Sequence, residues 1–380
     1  MMDLSCREIL ERTGWQRTVG GHNPYLSLYA RNGKRKAEVE SEVGELEIFE
    51  LPSARGCTYV IPRSQFALAL TCSQGFADAA TLRTAKNYLG VTDQEIETLG
   101  DAVVDALKDG PLDPAALKKK LGDKVRNLGE EGKKRGATTT LPMTLGILQT
   151  TGRIRRVPYD NRLDLQRFQY SLWEEPPLQG SPFSTQNEAF AQLADLYFRW
   201  SGPATIAHFQ WFSGLGVAAS KEAVKGMGLV PLEGLDGYFL HPGRATAWNE
   251  FQTPAEPEIT FVGNLDSVAL LRRDILTMID PSQSQIQQFV SSKSTALGSS
   301  KDFGHHLILD RGKLIGFWEF DPGHHEVVWA TFEPAHPLVK DRAEQVRTLI
   351  SEDHGDFMSF SLDSPASRQK AIDFLRAFPR

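Results

Sequence analysis

Two distant stretches of this chain carry the same punctuation, and that repetition limits the fold more than any single residue does. Thr92-x-x-Glu95 and Thr185-x-x-Glu188 both spell a capping box, in which the threonine oxygen takes a free backbone N–H and the glutamate reaches back to the cap. Each predicts a helix start. IETLGDAVVDALKDGP follows the first and AFAQLADLYFRWSGP the second, both with apolar residues at helical spacing and both stopped by Gly-Pro, at Gly110-Pro111 and Gly202-Pro203. A second short helix then runs to Gly122 (LDPAALKKKLG) or to Gly214 (ATIAHFQWFSG). A third, TLPMTLGILQTTG or GVAASKEAVKGMG, leads into a pair of short strands, from RIRRVPYD onward and in LVPLEGLDGYFL. Three helices followed by a hairpin wing are the winged-helix plan, a helix-turn-helix variant.

A degenerate copy opens the chain: DLSCREILERTG and GKRKAEVESEVGE read as helices and LEIFELPSARGCTYVIP as a wing turning near Pro52-Ser53. The last third changes character. ITFVGNLDSVALLRRDILTMI reads as a strand and then a helix, and HHLILDRGKLIGFWEFDPGHHEVVWATFE as three strands turning at Asp310-Arg311-Gly312 and Asp321-Pro322-Gly323. Helical patterns at 338–351 and 365–377 are expected to cover one face of this meander. The expected fold class is therefore α+β, with tandem winged-helix domains ahead of a C-terminal α+β domain built on an antiparallel β-meander. The expected boundaries are 1–62 for the first winged helix, 63–91 for a helical bridge, 92–170 for the second, 185–241 for the third and 255–380 for the last domain.

At 380 residues the chain exceeds what one core usually serves. Its 41% hydrophobic and 24% charged content is that of a globular protein, and no apolar run approaches the roughly 18 residues of a membrane helix. MMDLSCREILERTGW resembles no leader, so a cytoplasmic protein with no membrane partner is expected. Cys6, Cys57 and Cys72 are odd in number and form no C-x-x-C pair, which predicts reduced thiols. No phosphate loop, dinucleotide turn or nucleophile elbow occurs, so no cofactor, nucleotide or otherwise, is expected. His305-His306 and His324-His325 place neighbours on opposite sides of a strand, and no metal is expected there. Nothing in the sequence speaks to oligomeric state. Trp200, Trp211 and Phe212 fall at helical spacing and are expected in the core.

Net charge is −6, yet its distribution is uneven. KKKLGDKVRNLGEEGKKR, Lys118 to Arg135, sets eight Lys/Arg against three Asp/Glu. Lys118, Lys119, Lys133, Lys134 and Arg135 thus stand just ahead of the presumptive recognition helix, where long cationic side chains reach a phosphate backbone. Arg153, Arg155 and Arg156 follow in the wing, and Lys34 and Arg35 open a helix of the first copy. His324, near a hairpin tip, is a candidate groove probe. Double-stranded DNA is the partner these residues predict.

NPYLSLYAR, SARGCTYVIP, DGPLDPAALKKKLG, SGPATIAHFQWFSGL, NLDSVALLRRD and LDRGKLIGFW, in this order over nearly the whole chain, resemble the winged-helix DNA glycosylases of the AlkZ/YcaQ type. The resemblance implies three tandem winged helices, removal of alkylated purines and unhooking of crosslinks. Arg55-Gly56 matches the family's wing, and Arg31 closes NPYLSLYAR; both are expected at DNA. Active relatives carry Gln-x-Gln or a close variant just before that segment. Placing the family's proline on Pro24 puts Gly20 and His22 at the two positions instead.

VGGHNP, residues 19–24, accordingly becomes the candidate catalytic corner: a turn on Pro24 ahead of a run alternating apolar and polar side chains. An N-alkylated purine leaves as a neutral base, so acid assistance is dispensable and one group that activates water suffices. His22 is the candidate base and Asn23 the candidate positioner, with the glycines letting backbone approach the sugar. The expected product is an abasic site. A DNA-binding regulator or damage sensor without chemistry is the alternative, and winged helices that contact protein a third.

Overall fold

The computed structural model describes residues 4–76, 79–290 and 293–379. One element order occurs three times along it. The first copy has the helix Cys6–Thr13, a short strand Gln16–Arg17, helices Asn23–Asn32 and Lys36–Gly44, and hairpin strands Ile48–Pro52 and Thr58–Pro62. The short strand pairs with the second hairpin strand, which pairs with the first. Helices Gln186–Ser201, Ile206–Ser213 and Val217–Ala223 with strands Ala204–Thr205, Val230–Pro231 and Tyr238–Leu240 repeat that order and pairing. Between them lie helices Asp93–Leu107, Pro114–Leu121 and Leu141–Thr150 and the hairpin Ile154–Pro158 with Phe168–Leu172, where a single bridge from Leu112 to Tyr170 replaces the short strand. Part of the basic segment folds as the helix Gly129–Lys134.

Local chemistry sets the helix ends. Ser5 with Glu8, and Thr185 with Glu188, form complete capping boxes. At Thr92 only half of one forms: its hydroxyl accepts the Glu95 N–H at 3.1 Å, while the Glu95 carboxylate turns to Arg126 at 2.8 and 3.0 Å. A forked guanidinium binds a carboxylate more strongly than one neutral N–H does. NPYLSLYAR is a helix rather than an alternating run. Pro24 sits in its first turn, where the missing N–H has no partner to lose, and Gly33 ends it in the left-handed region.

The first and third copies share one core, in which Trp15 packs on Tyr59, Trp200 and Phe212. The middle copy has its own, built from Leu99, Val103, Leu117, Leu145 and Leu148. In the C-terminal part, strands Ile259–Val262, His306–Asp310, Lys313–Asp321 and Glu326–Thr331 form one antiparallel sheet, with Ile259–Val262 at the edge beside His306–Asp310. Two expectations need correction. The stretch after that edge strand is no continuous helix but a single turn, Ser267–Leu270, and a 3-10 turn, Ile275–Thr277, parted at Arg273, which takes a positive φ of 55°. Helices Pro337–Leu349 and Pro365–Arg376 cover opposite faces of the sheet instead of one. Ile372 and Leu375 pack with Leu307 and Phe317, whereas Val339 and Val346 pack with Ile308 and Trp318, joined there by Leu26 of the first copy. A strand that is apolar on both sides needs two covers.

Candidate functional site

The Gly-Gly-His-Asn corner is a junction of three parts of the chain. The His22 N–H donates to the Met358 carbonyl at 2.7 Å, and its Nδ1 accepts the Met358 N–H at 2.9 Å. That donor fixes the remaining proton on Nε2, which faces Asp164 Oδ2 at 3.3 Å, off the line a strong hydrogen bond needs. Asp164 lies in the loop of the middle hairpin and also holds Arg162 at 2.5 and 3.1 Å. Burial pushes its carboxyl up, but His22 and Arg162 outweigh that and hold it far below the usual carboxylate range. The rings of His354 and Phe357 close the remaining sides, 4.8 and 5.8 Å from His22. Asn23 gives its amide N–H to the Ser359 carbonyl at 3.0 Å. A Cβ on Gly21 would stand 2.6 Å from the Met358 carbonyl, which explains the second glycine.

His22 and Asn23 are therefore brought together, but 2% and 1% exposed, beneath residues 354–361. They do not line the floor of an open groove. Nδ1 of His22 is taken by the Met358 N–H and Nε2 rests against Asp164 without a well-aligned hydrogen bond, so the ring is enclosed by the protein.

The cations divide likewise. Arg31 closes on the buried Asp266 carboxylate at 2.7 and 2.8 Å, and Arg35 on Asp353 and Glu352 at 2.6 to 2.8 Å. Lys34 pairs with Glu38. These side chains fasten the first copy to itself and to the C-terminal part. Arg55, at a positive φ of 59° in the hairpin turn, stacks on Trp211 at 4.0 Å, with Arg273 also over that ring at 4.7 Å. Trp211 is thus a partly exposed stacking platform rather than full core. Lys118, Lys119 and Lys134 are exposed and make no ion pair among the described residues. Lys133 and Arg135 are exposed but paired with Glu130 and Glu131, Arg135 lying over Tyr88 as well, and Arg153 pairs with Asp101.

Arg155 and Arg156, neighbours on one strand, project to opposite sides. Arg155 packs over Phe49 and Trp173. Arg156 lies over Phe168 and lines a cleft of about 310 Å³ between the first hairpin and the helix Leu141–Thr150, with Glu50 and Thr58 on the facing wall. Burial raises the Glu50 carboxyl pKa against the pull of Arg156, Thr18 and Arg17.

A protein-family model described as DNA glycosylase AlkZ-like matches residues 11–357. The chain belongs to the AlkZ-like DNA glycosylase family. Among solved structures it is similar to the DNA glycosylase AlkZ of Streptomyces sahachiroi, with a TM-score of 0.67 and 18% identity over 92% of each chain. That likeness speaks to the fold. No curated protein sequence matches.

As a member of the AlkZ-like family the chain has one more expected site residue to place. His324 is exposed in the turn between Lys313–Asp321 and Glu326–Thr331, its Nδ1 2.9 Å from Asp321 Oδ2. With Asp321 and Glu326 it forms a group of three potential metal ligands, but Arg376 already holds both carboxylates, at 2.7 and 2.5 Å. Cys6, Cys57 and Cys72 are free thiols. No helix of the described residues is long and apolar enough to cross a membrane. Two residues that shape these sites went unseen in the sequence. Glu50 had a signal, a lone carboxylate in the apolar strand IFELP; Asp164 had none.

Proposed function

We propose that this chain binds duplex DNA and hydrolyses the N-glycosidic bond of alkylated purines, leaving an abasic site. The observation that carries the reading is the family match across residues 11–357. The exposed Lys118, Lys119 and Lys134 supply the cationic contacts such binding needs. In this reading the three helix-and-hairpin units seat the duplex, and the C-terminal part presents the hairpin turn with His324. His22 and Asn23 act as fasteners of the corner, because the imidazole is enclosed between Met358 and Asp164.

A second reading, a damage sensor without chemistry, is favoured by that same sealing and by the absence of the glutamine pair. Purified protein incubated with alkylated duplex and then treated with alkali separates the two. Strand breaks above a protein-free control support hydrolysis. Retention of the duplex without breaks supports the sensor.

A further inference from the structure

We infer that Glu50 is the general base of this chain's reaction, acting on a water beside an alkylated nucleobase held in the cleft between the first hairpin and the helix Leu141–Thr150. The inference rests on the hydrolytic reading above. It begins with strand register. Glu50 pairs with Val60, Val60 with Gln16, and Pro52 with Thr58, while the Thr18 N–H donates to the Thr58 carbonyl at 3.1 Å. Directly paired residues share a face, so Glu50, Thr18 and Thr58 lie on one side of this small sheet and Phe49, Leu51 and Tyr59 on the other. The second side closes the core. The first looks across the cleft at Gly146, Gln149, Arg156 and Tyr170. Gly146 adds no side chain to the gap, and about 310 Å³ is at the small end of ligand sites, enough for one base and a water.

One polar group of the lining is left open within the protein. Thr18 is 1% exposed, and its hydroxyl lies beside Glu50 and favours the ionised carboxylate, whereas the buried Arg156 Nε has no hydrogen-bond partner within the protein. Buried donors of this kind are nearly always paired, so a guanidinium N–H left open beside a carboxylate it does not close on marks a place where something else binds. Glu50 is itself in no ion pair among the described residues, although Arg156 faces it. A structural carboxylate would have closed on that guanidinium. Burial raises the carboxyl's affinity for a proton, which makes the carboxylate a stronger base than an exposed one.

The step balances without a cofactor. Water oxygen forms the new bond to C1′ as the C1′–N9 bond breaks; N9 takes the bonding pair, which neutralises the cationic alkylpurine. The water proton passes to Glu50. Thr18 orients the Glu50 carboxylate, and Arg156 Nε remains as a donor to an acceptor atom of the bound nucleotide.

The test uses the full chain and a duplex carrying N7-methylguanine, read as alkali-labile breaks under single-turnover conditions. Glu50→Gln should slow release by about 100-fold or more, with duplex affinity unchanged, and Glu50→Asp should recover part of the rate. The wild-type rate should fall as pH drops through the Glu50 titration, and that limb should vanish in Glu50→Gln. Release by Glu50→Gln at the wild-type rate, or a wild-type rate that is flat between about pH 4 and pH 8, would overturn the role of Glu50 while leaving hydrolysis standing. Duplex binding with no release by the wild type would instead overturn the hydrolytic reading, and this inference with it. The wild-type profile is taken only where circular dichroism shows the protein folded, and Glu50→Asp, whose limb should persist, serves where Glu50→Gln misfolds.

Discussion

His22 Nε2 stands 3.3 Å from Asp164 Oδ2, with neither side chain more than 2% exposed. The contact ties the first copy to the hairpin loop of the second, under a cover formed by residues 354–361. Removing the carboxylate leaves an imidazole and the Arg162 guanidinium without their counter-charge. Asp164→Ala is expected to cost about 3 kcal/mol, read from urea unfolding. His22→Ala orphans the buried Met358 N–H and should cost about 1–3 kcal/mol, while base release per folded molecule stays at the wild-type rate. A loss of release with no loss of stability would return His22 to the catalytic role.

Gly21→Ala tests the closure of the corner. Its new Cβ meets backbone of Met358 and Ser359 at 2.6 Å, and backbone yields less readily than a side-chain end. A cost of about 1–3 kcal/mol is expected, with faster amide exchange at residues 357–361. Unchanged exchange there would mean that the segment does not pack on Gly21.

Acid should destabilise the protein from near neutrality downward. Burial above all pushes His354 down to about 3 and His306 down to about 4. The folded state keeps both neutral, while the unfolded chain protonates its imidazoles near about 6.5. Below that pH the unfolded state binds more protons, so stability falls on acidification, by up to about 1.4 kcal/mol per pH unit for each histidine. The depressed Asp164 carboxylate adds its loss only below about pH 4, in a separate window. His354→Gln should flatten the slope between about pH 4.5 and 6 by one proton, measured by unfolding at stepped pH. An unaltered slope would place that imidazole in water.

Salt dependence discriminates surface cations from internal ones. Each phosphate contact contributes about 0.9 to the slope of log affinity against log salt, so Lys118→Ala, Lys119→Ala and Lys134→Ala together should lower it by up to about 2.7. Arg31→Ala should leave the slope alone and destabilise the protein instead, because its guanidinium is held by Asp266. A reduced slope in Arg31→Ala would put that residue at the phosphates.

Most of the fold was legible because its signals are local. A capping threonine, a Gly-Pro stop or an Asp-Arg-Gly turn acts on backbone within a few residues, and the period of apolar side chains follows from helix or strand geometry alone. Hence the threefold element order and the β-meander were readable. The errors arose where a distant partner competed with a local one: Arg126 drew Glu95 away from its cap, and two helices divided between the faces of a sheet that is apolar on both sides.

The sequence by itself determined the α+β class, the repeated helical units and the family resemblance. Only the tertiary structure decided which polar groups are available. Met358 reaches His22 across 336 positions and Asp266 reaches Arg31 across 235, pairings that no spacing encodes. The same packing left Glu50 and Arg156 facing one cleft without an ion pair between them. Charge pairing and desolvation depend on distance in space, and chain order carries that distance only for near neighbours.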